Sequence, residues 1–242
     1  MYWISLLGVN LLAVVALILA VYQERSAKKQ ITELKEIRLS LSTQYIGQFP
    51  DYISNVVDLI KSAKTEILIA YGQVTFGIFS YREKWLEYRT TLEQKLHEGK
   101  TVDLLCLDEK ERRNHQIEQF GLTKKSWKEK LNDPEFKRRV DTFTKHYASE
   151  QTENMDGEIL LNLLERQQKK SLEDYFRTAI KTEVSSPFAI HLWIVDGSRA
   201  IFTVPNFAEG PTEFGFLTSD TRLIQALRSI HIRQKRNAKA SL

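Results

Sequence analysis

The sequence predicts an α/β fold, a mixed β-sheet flanked by helices, preceded by one N-terminal transmembrane helix. Three observations support this prediction. The chain of 242 residues contains only 10 Gly and 5 Pro, about half the usual share, which favours regular structure over long loops. Residues 1–22 carry no charged side chain. The remainder alternates short apolar runs with amphipathic stretches, the pattern of strands separated by helices.

Composition sets limits on the class of protein. Charged residues make up 27% of the chain, and 35 basic residues are mixed with 31 acidic ones for a net charge of +4, so charge alone does not indicate a nucleic-acid partner. Cys106 is the only cysteine, which excludes an internal disulfide and suits a reducing compartment. No Gly-rich phosphate loop and no Cys/His pair at ligand spacing occurs, and we predict neither a metal nor a cofactor.

The N-terminal apolar segment, residues 1–22, is predicted to be a transmembrane anchor. As a helix, it would span about 33 Å against a hydrocarbon core of about 30 Å. No basic side chain precedes the apolar run and no small-x-small site follows it, so a retained anchor is favoured over a cleaved signal peptide. Basic residues follow the span directly: Arg25, Lys28, Lys29, Lys35 and Arg38. The positive-inside rule then places the N-terminus outside and the C-terminal domain in the cytoplasm.

A helical linker, residues 23–46, is predicted to continue from the anchor. Its apolar residues recur at a/d spacing, namely Ile31, Leu34, Leu41 and Tyr45, which indicates a short helix or a weak dimer seam. The folded domain is expected over residues 47–235, followed by a basic tail over 236–242.

The first part of the domain is predicted to be a helix–strand–helix–strand unit. Apolar residues at helical spacing run from Pro50 to Ala63, and Thr65–Tyr71 is a short apolar run typical of a buried strand. A second helix is predicted over Tyr81–Glu98 and a second strand over Thr101–Leu107. A strand–helix–strand order of this kind predicts two parallel strands joined by a right-handed crossover.

A helical insertion is expected at about residues 109–157. Residues 109–147 carry 11 Lys and Arg against 7 Asp and Glu, which fits either a solvated basic face or a contact with anionic headgroups. Beyond it, the sequence predicts a helix over Glu158–Lys181, strands over Phe188–Asp196, Ala200–Val204 and Glu213–Thr218, and a closing helix over Asp220–Ile232.

The candidate site residues lie in this last strand region. His191 and Asp196 stand in an apolar strand that ends in a D-G turn, Asn206 follows ten residues after Asp196, and Glu213 begins the next strand. This arrangement resembles the signature of the phospholipase D superfamily, H-x-K-x4-D-x6-G-[GS]-x-N, with its downstream acidic residue and closing helix. The resemblance covers about residues 45–107 and 158–235, and it implies a phospholipase D-like fold.

Two registers of the motif are possible. Anchoring on Asp196 and Asn206 puts Ala189 at the family's catalytic His and His191 at its Lys, with Thr203 and Val204 at the Gly-Ser pair. Ala189 has no lone pair with which to attack phosphorus, so this register implies a catalytically inactive pseudoenzyme. In the second register, His191 itself is the catalytic His, Trp193 stands for the Lys, and Asp196 arrives two residues early.

The resemblance supports three hypotheses of function. The first is a binding or scaffold module at the cytoplasmic membrane face, with His191, Asp196, Asn206 and Glu213 around a phosphate-bearing ligand or a protein partner. The second is a divergent phosphodiesterase acting on phospholipid or nucleic acid, using His191 and Asp196 with a histidine from elsewhere. The third is a structural or signalling membrane protein without a ligand pocket.

The partners expected follow from the same resemblance. The chain holds one motif where complete enzymes of the family use two, which implies a homodimer, and a shared anchor favours pairing. Membrane lipid is expected through the anchor, and nucleic acid is not favoured. The other histidines include His115 and His146, which stand in charged helical segments and are predicted to face solvent.

Overall fold

The computed structural model describes residues 42–75, 77–79, 81–120, 124–147, 156–206 and 212–240. The chain divides into two units, Met1–Ser42 and Thr43–Leu242, and the fold below is that of the second. The predicted anchor and all of the predicted linker before Ser42 lie outside the described residues. Within the described ranges, no helix combines the length and apolar character needed to cross a bilayer.

The described part of the chain contains seven strands, seven α-helices and one π-helical turn. In chain order they are β1 (Thr43–Gln48), α1 (Ile53–Lys61), β2 (Glu66–Ala70), α2 (Arg82–His97), β3 (Thr101–Leu107), α3 (Glu109–Phe120), α4 (Lys124–Leu131), α5 (Pro134–Tyr147), α6 (Gly157–Lys170), the π-helical turn (Ser171–Tyr175), β4 (Ile180–Val184), β5 (His191–Val195), β6 (Arg199–Asn206), β7 (Thr212–Thr218) and α7 (Thr221–Ala240).

The seven described strands form one mixed sheet in the order β1-β7-β6-β5-β2-β3-β4. β2, β3 and β4 are parallel, which confirms the predicted parallel pairing of β2 and β3. β5 is antiparallel to β2, and β6, β7 and β1 continue the antiparallel half. The sheet therefore changes from parallel to antiparallel between β2 and β5, and the candidate site lies on β5.

Helices cover both faces of the sheet, as the sequence predicts. α1 and α2 pack on one face, which Trp193 and Val195 of β5 share. α7 packs on the other face, where Leu192 and Ile194 lie. This alternation follows from the two-residue period of a strand, and it puts His191 on the α1 and α2 face.

The helical insertion has a core of its own. Trp127, Val140 and Phe143 from the insertion are buried together with Trp85 and Leu160. These apolar residues recur at helical spacing along otherwise charged helices, so each helix buries one face and exposes its charges on the other.

Two edge strands differ from the sequence prediction. The linker was predicted to be helical through residue 46, but Thr43–Gln48 is a strand paired with β7, and Tyr45 contacts the rings of Phe214 and Phe216 at centroid distances of 6.0 and 5.8 Å. The helix predicted to reach Lys181 ends at Lys170, and Ile180–Val184 is a strand paired with β3. In both places, pairing with a neighbouring strand determines the conformation.

Candidate active site

The site is centred on an imidazole–carboxylate pair. His191 is the first residue of β5, and its Nδ1 lies 2.9 Å from Oε1 of Glu213 on β7. β6 lies between these strands, and Thr203, which pairs with His191, also hydrogen-bonds to Glu213. A carboxylate that accepts from Nδ1–H fixes the ring orientation and leaves Nε2 as the imidazole's free nitrogen.

Tyr52 holds the carboxylate from the opposite side. It stands just before α1, is fully buried, and donates its hydroxyl to Oε2 of Glu213 at 2.8 Å. Gly215 makes this packing possible, because a Cβ at that position would lie 2.8 Å from Cβ of Tyr52. The two oxygens of Glu213 thus have different donors, which fixes the carboxylate rigidly.

The surroundings of Glu213 favour its charged form. Burial alone would raise the pKa of its carboxyl group, but hydrogen bonds from His191, Tyr52 and Thr203 hold that pKa below its ordinary value of 4.5. Burial raises the pKa of the Tyr52 and Tyr71 hydroxyls well above 10.0, and the Glu213 charge adds to the effect. Both tyrosines are therefore neutral at pH 7, when Glu213 is ionised.

The imidazole of His191 is held on its face as well as at Nδ1. The ring of Tyr71, which follows β2, lies 4.1 Å from the His191 ring between centroids. Nε2 of His191 faces Gly72, where a Cβ would lie 3.9 Å from it. The side chain of His191 keeps 14% of its accessible surface. The same Cβ would lie 3.4 Å from Cδ1 of Leu107, so Nε2 and the Leu107 side chain border the backbone of Gly72 together.

A second imidazole lies near this pair. His115 of α3 is close enough for the charges of His191 and Glu213 to act on it. Partial burial and then the neighbouring His191 lower the pKa of His115, against the opposing pull of Glu213 and Glu118. The next residue, Gln116, is buried and donates to Gln73 at 3.2 Å, which holds α3 over the segment that follows β2. His115 is exposed, as predicted.

Asp196 lies away from this cluster, at the opposite end of β5. Its carboxylate accepts the backbone N–H groups of Lys64 at 2.9 Å, Thr65 at 2.8 Å and Glu66 at 3.0 Å, together with the Thr65 hydroxyl at 2.8 Å. These bonds outweigh the effect of burial and lower the pKa of Asp196 to about 2. Of the four residues predicted to line the site, Asp196 is therefore not brought to His191, and its contacts tie the β5–β6 turn to the start of β2.

The positions of the other motif residues favour the second register. Ala189 precedes β5 and is exposed, whereas His191 is the histidine that meets the strand-borne carboxylate. Trp193, in the place of the family's Lys, is fully buried and donates from Nε1 to the Tyr88 hydroxyl at 3.2 Å. The backbone of Asn206 pairs with Thr212 at the His191 end of the sheet, and its side chain lies outside the described part of the chain.

Two further points concern what the site can hold. Among the described residues, no three His, Cys, Asp or Glu side chains converge as a metal ion requires. Tyr52 and Tyr71 were not identified from the sequence as site residues, Thr203 was named only as a motif position, and His115 was predicted to face solvent. Tyr71 ends a predicted strand opposite His191, so antiparallel pairing of these two strands is the signal that could have found it.

No protein-family model and no curated protein matches the sequence. Similar solved structures include Nuc from Salmonella typhimurium, a phospholipase D family member, at 12% identity and a TM-score of 0.40, over 79% of this chain and 92% of that one. NucT from Helicobacter pylori is similar at 11% identity and a TM-score of 0.41, over 79% and 94% of the two chains.

A third similar structure is TrmBL2, an archaeal chromatin protein, at 11% identity and a TM-score of 0.41 over 88% of this chain. This chain spans 60% of the length of that protein. A phospholipase D family member is therefore among the solved structures to which this chain is similar at low identity.

Proposed function

We propose that the chain is a phosphodiesterase-type domain in which His191 is the nucleophile. One observation carries the proposal: Nδ1 of His191 meets the Glu213 carboxylate at 2.9 Å, while Nε2 lies on the other side of the ring, towards the backbone of Gly72. An imidazole whose Nδ1–H is held by a carboxylate presents the lone pair of Nε2 outward. Such a nitrogen can attack phosphorus, as the Ala189 methyl group of the first register cannot.

The reaction proposed has two balanced steps. In the first, the Nε2 lone pair forms a bond to phosphorus while the bond to the leaving oxygen breaks, and that oxygen takes a proton from a protonated acid. In the second, water attacks the phosphohistidine, the P–N bond breaks, and the same group, now a base, takes the proton from water. Glu213 stabilises the cationic ring of the intermediate throughout, because it remains ionised.

His115 is the proposed proton donor. It lies near His191 and belongs to the same chain. Because its pKa lies below the ordinary 6.5, it is largely neutral at pH 7, and its acid form accumulates as pH falls. The proposed first step is therefore expected to speed up as pH falls from 8 toward 6.

The membrane setting and the assembly state are part of the proposal. Residues 1–22 are proposed to anchor the domain to a membrane, with the C-terminal domain in the cytoplasm, on the strength of the uncharged segment and the basic residues that follow it. A homodimer is proposed from the single motif. The substrate class proposed is a phosphodiester, with phospholipid as the form available to an anchored domain.

A second candidate is an inactive binding module at the membrane face, and Trp193 favours it. This residue is 0% exposed, so its position offers no cation to the phosphoryl oxygens. Without that cation, the transition-state charge loses one stabilising contact, which is typically worth about 10²–10³ in rate. A site of this kind would hold a phosphate group and turn it over slowly or not at all.

The test is hydrolysis of bis(p-nitrophenyl) phosphate by the full chain in detergent, with His191→Ala and His146→Ala compared with wild type. His146 is an exposed histidine of the helical insertion, so it is the matched control. We expect turnover that falls at least about 10³-fold in His191→Ala and is unchanged in His146→Ala. Denaturation at alkaline pH, where the P–N bond is stable, should trap a p-nitrophenyl phosphohistidine at position 191 in the wild type.

The opposite outcomes are also informative. Turnover equal in wild type and His191→Ala refutes the proposed nucleophile. Binding of inorganic phosphate that His191→Ala abolishes, without turnover in wild type, supports the binding module instead.

A further inference from the structure

A cavity lies between the helical insertion and the start of α2, apart from the His191 site. It has a volume of about 510 Å³ and lies between the start of α2 and α5. This volume is within the range of small-molecule sites, about 300–1,000 Å³. The phospholipase D resemblance does not extend over α5, so one wall of the cavity comes from the helical insertion.

The described residues that line this cavity are strongly basic. Four of them are cationic, Arg82, Lys84, Arg138 and Arg139, and Glu83 is acidic. Arg139 also pairs with Glu135 one turn earlier on α5, and Lys84 donates to Ser54. An excess of positive charge remains around the cavity, and Arg138 forms no ion pair with a described residue.

Aromatic rings position two of these arginines. The Arg82 guanidinium lies 6.0 Å from the centre of the Tyr147 ring, and that of Arg139 lies 5.7 Å from the Tyr81 ring. Stacking of this kind holds a guanidinium plane while leaving its N–H groups at the edge free to donate. Phe143 forms an apolar wall of the same cavity.

One hydrogen-bond donor of a residue that lines the cavity has no acceptor in the described part of the chain. Nε of Arg82 is buried and has no hydrogen-bond partner among the described residues. A buried donor without an acceptor is unfavourable, and it is usually matched by water or a ligand. An anionic oxygen in the cavity would meet the remaining positive charge, and a turn of the Arg82 side chain would bring its Nε–H to that oxygen.

We infer that this cavity binds a phosphate-bearing anion, either a free phosphate compound or the phosphomonoester headgroup of a lipid. Arginine forks match phosphate oxygens in pairs, which makes phosphate the ligand chemistry that this lining suits best. The site is independent of the proposed catalytic function, because it shares no lining residue with the His191 cluster.

The experiment is a calorimetric titration of the full chain in detergent with inorganic pyrophosphate. His191→Ala is the background for every variant, so that only the second site is measured. Arg138→Gln and Arg82→Gln are compared with Lys137→Gln, which removes the same charge from an exposed neighbouring residue of α5. Arg138 is exposed as well, so its variant tests the site without risk to the core.

We expect pyrophosphate to bind in the His191→Ala background. Its Kd should rise at least about tenfold in Arg138→Gln and in Arg82→Gln, the loss expected for one charge-assisted contact, and less than about twofold in Lys137→Gln. Adding phosphatidic acid to the micelles distinguishes the sources: competition with pyrophosphate assigns a lipid headgroup, and its absence assigns a free phosphate compound.

Two results would overturn the inference. The first is the absence of pyrophosphate binding in the His191→Ala background. The second is an equal loss of affinity in Lys137→Gln and Arg138→Gln, which would mean that the net charge of the insertion, and not this cavity, attracts the anion. A loss of pyrophosphate affinity in Arg138→Gln but not in Lys137→Gln, with native thermal stability in both variants, supports the site.

Discussion

Replacing Asp196 by Asn is expected to destabilise the domain and to leave catalysis intact. The carboxylate accepts four hydrogen bonds from Lys64, Thr65 and Glu66, and the amide group of Asn would face some of these donors with a donor of its own. Asn tolerates the positive φ of 51° found at this position, so the substitution tests the charge and not the backbone.

The size of the effect follows from the pKa of Asp196, which falls from 3.8 to about 2 on folding. Undiminished, this shift would correspond to roughly 2–3 kcal/mol, and solvent screening at this partly exposed residue reduces it to about 1 kcal/mol. For a domain of this size, thermal unfolding should shift downward by about 2–4 °C.

The assay is thermal unfolding at several pH values, with Asp58→Asn as the control because Asp58 is exposed on α1. The charged form is the one that folding favours, so the contribution of Asp196 is present above pH 3.8 and is lost as pH falls toward 2. Wild type and variant should therefore converge at low pH. Equal stability at pH 7, or a difference that persists unchanged near pH 2, would refute this account of the turn.

Three further predictions concern the site and the core beneath it. Gly215→Ala should cost about 1–3 kcal/mol by thermal unfolding, because the new Cβ would lie 2.8 Å from Cβ of Tyr52; an unchanged midpoint contradicts this packing. Trp193→Lys should cost about 3–5 kcal/mol, since the position is 0% exposed and an ammonium there has no water; circular dichroism would detect the loss, and a folded variant with native stability would mean that the site is more open than described. Glu213→Gln should lower turnover about 10²–10⁴-fold, because the carboxylate orients His191. It should also remove a contribution to stability that is present above pH 4.5 and is lost as pH falls through the lowered pKa of Glu213. A variant with wild-type kinetics would exclude a positioning role.

The central strands were predictable from the sequence, and the edge strands were not. β2, β3 and β5 carry continuous apolar runs because both faces of the sheet are covered there. β4 is exposed along most of its length, and β1 carries polar and half-buried residues. An edge strand needs few buried side chains, and its hydrogen bonds to one neighbour determine its conformation. No local pattern records such pairing.

The site was predictable only where the motif is local. His191 and Glu213 were identified from the sequence, and the structure brings them together. The spacing of Asp196 to Asn206 predicted a shared site that the structure does not form at Asp196, because Asp196 with Gly197 specifies the turn, where both residues have positive φ. The strand length between His191 and that turn can change without altering the turn, so the histidine and the aspartate need not keep a fixed spacing.

The burial of Trp193 determines how a phosphoryl group would have to be held in the proposed reaction. At this position the sheet is covered by α1 and α2, and the indole donates to the buried hydroxyl of Tyr88. A cation is therefore excluded from the strand itself, and any positive charge near Nε2 of His191 has to come from another element. α3 supplies one in protonated His115. Because this charge appears only as pH falls, substrate affinity and proton donation should increase together on the acidic side, which a permanent lysine would not produce. A rate that is flat between pH 8 and 6 would contradict this assignment to His115.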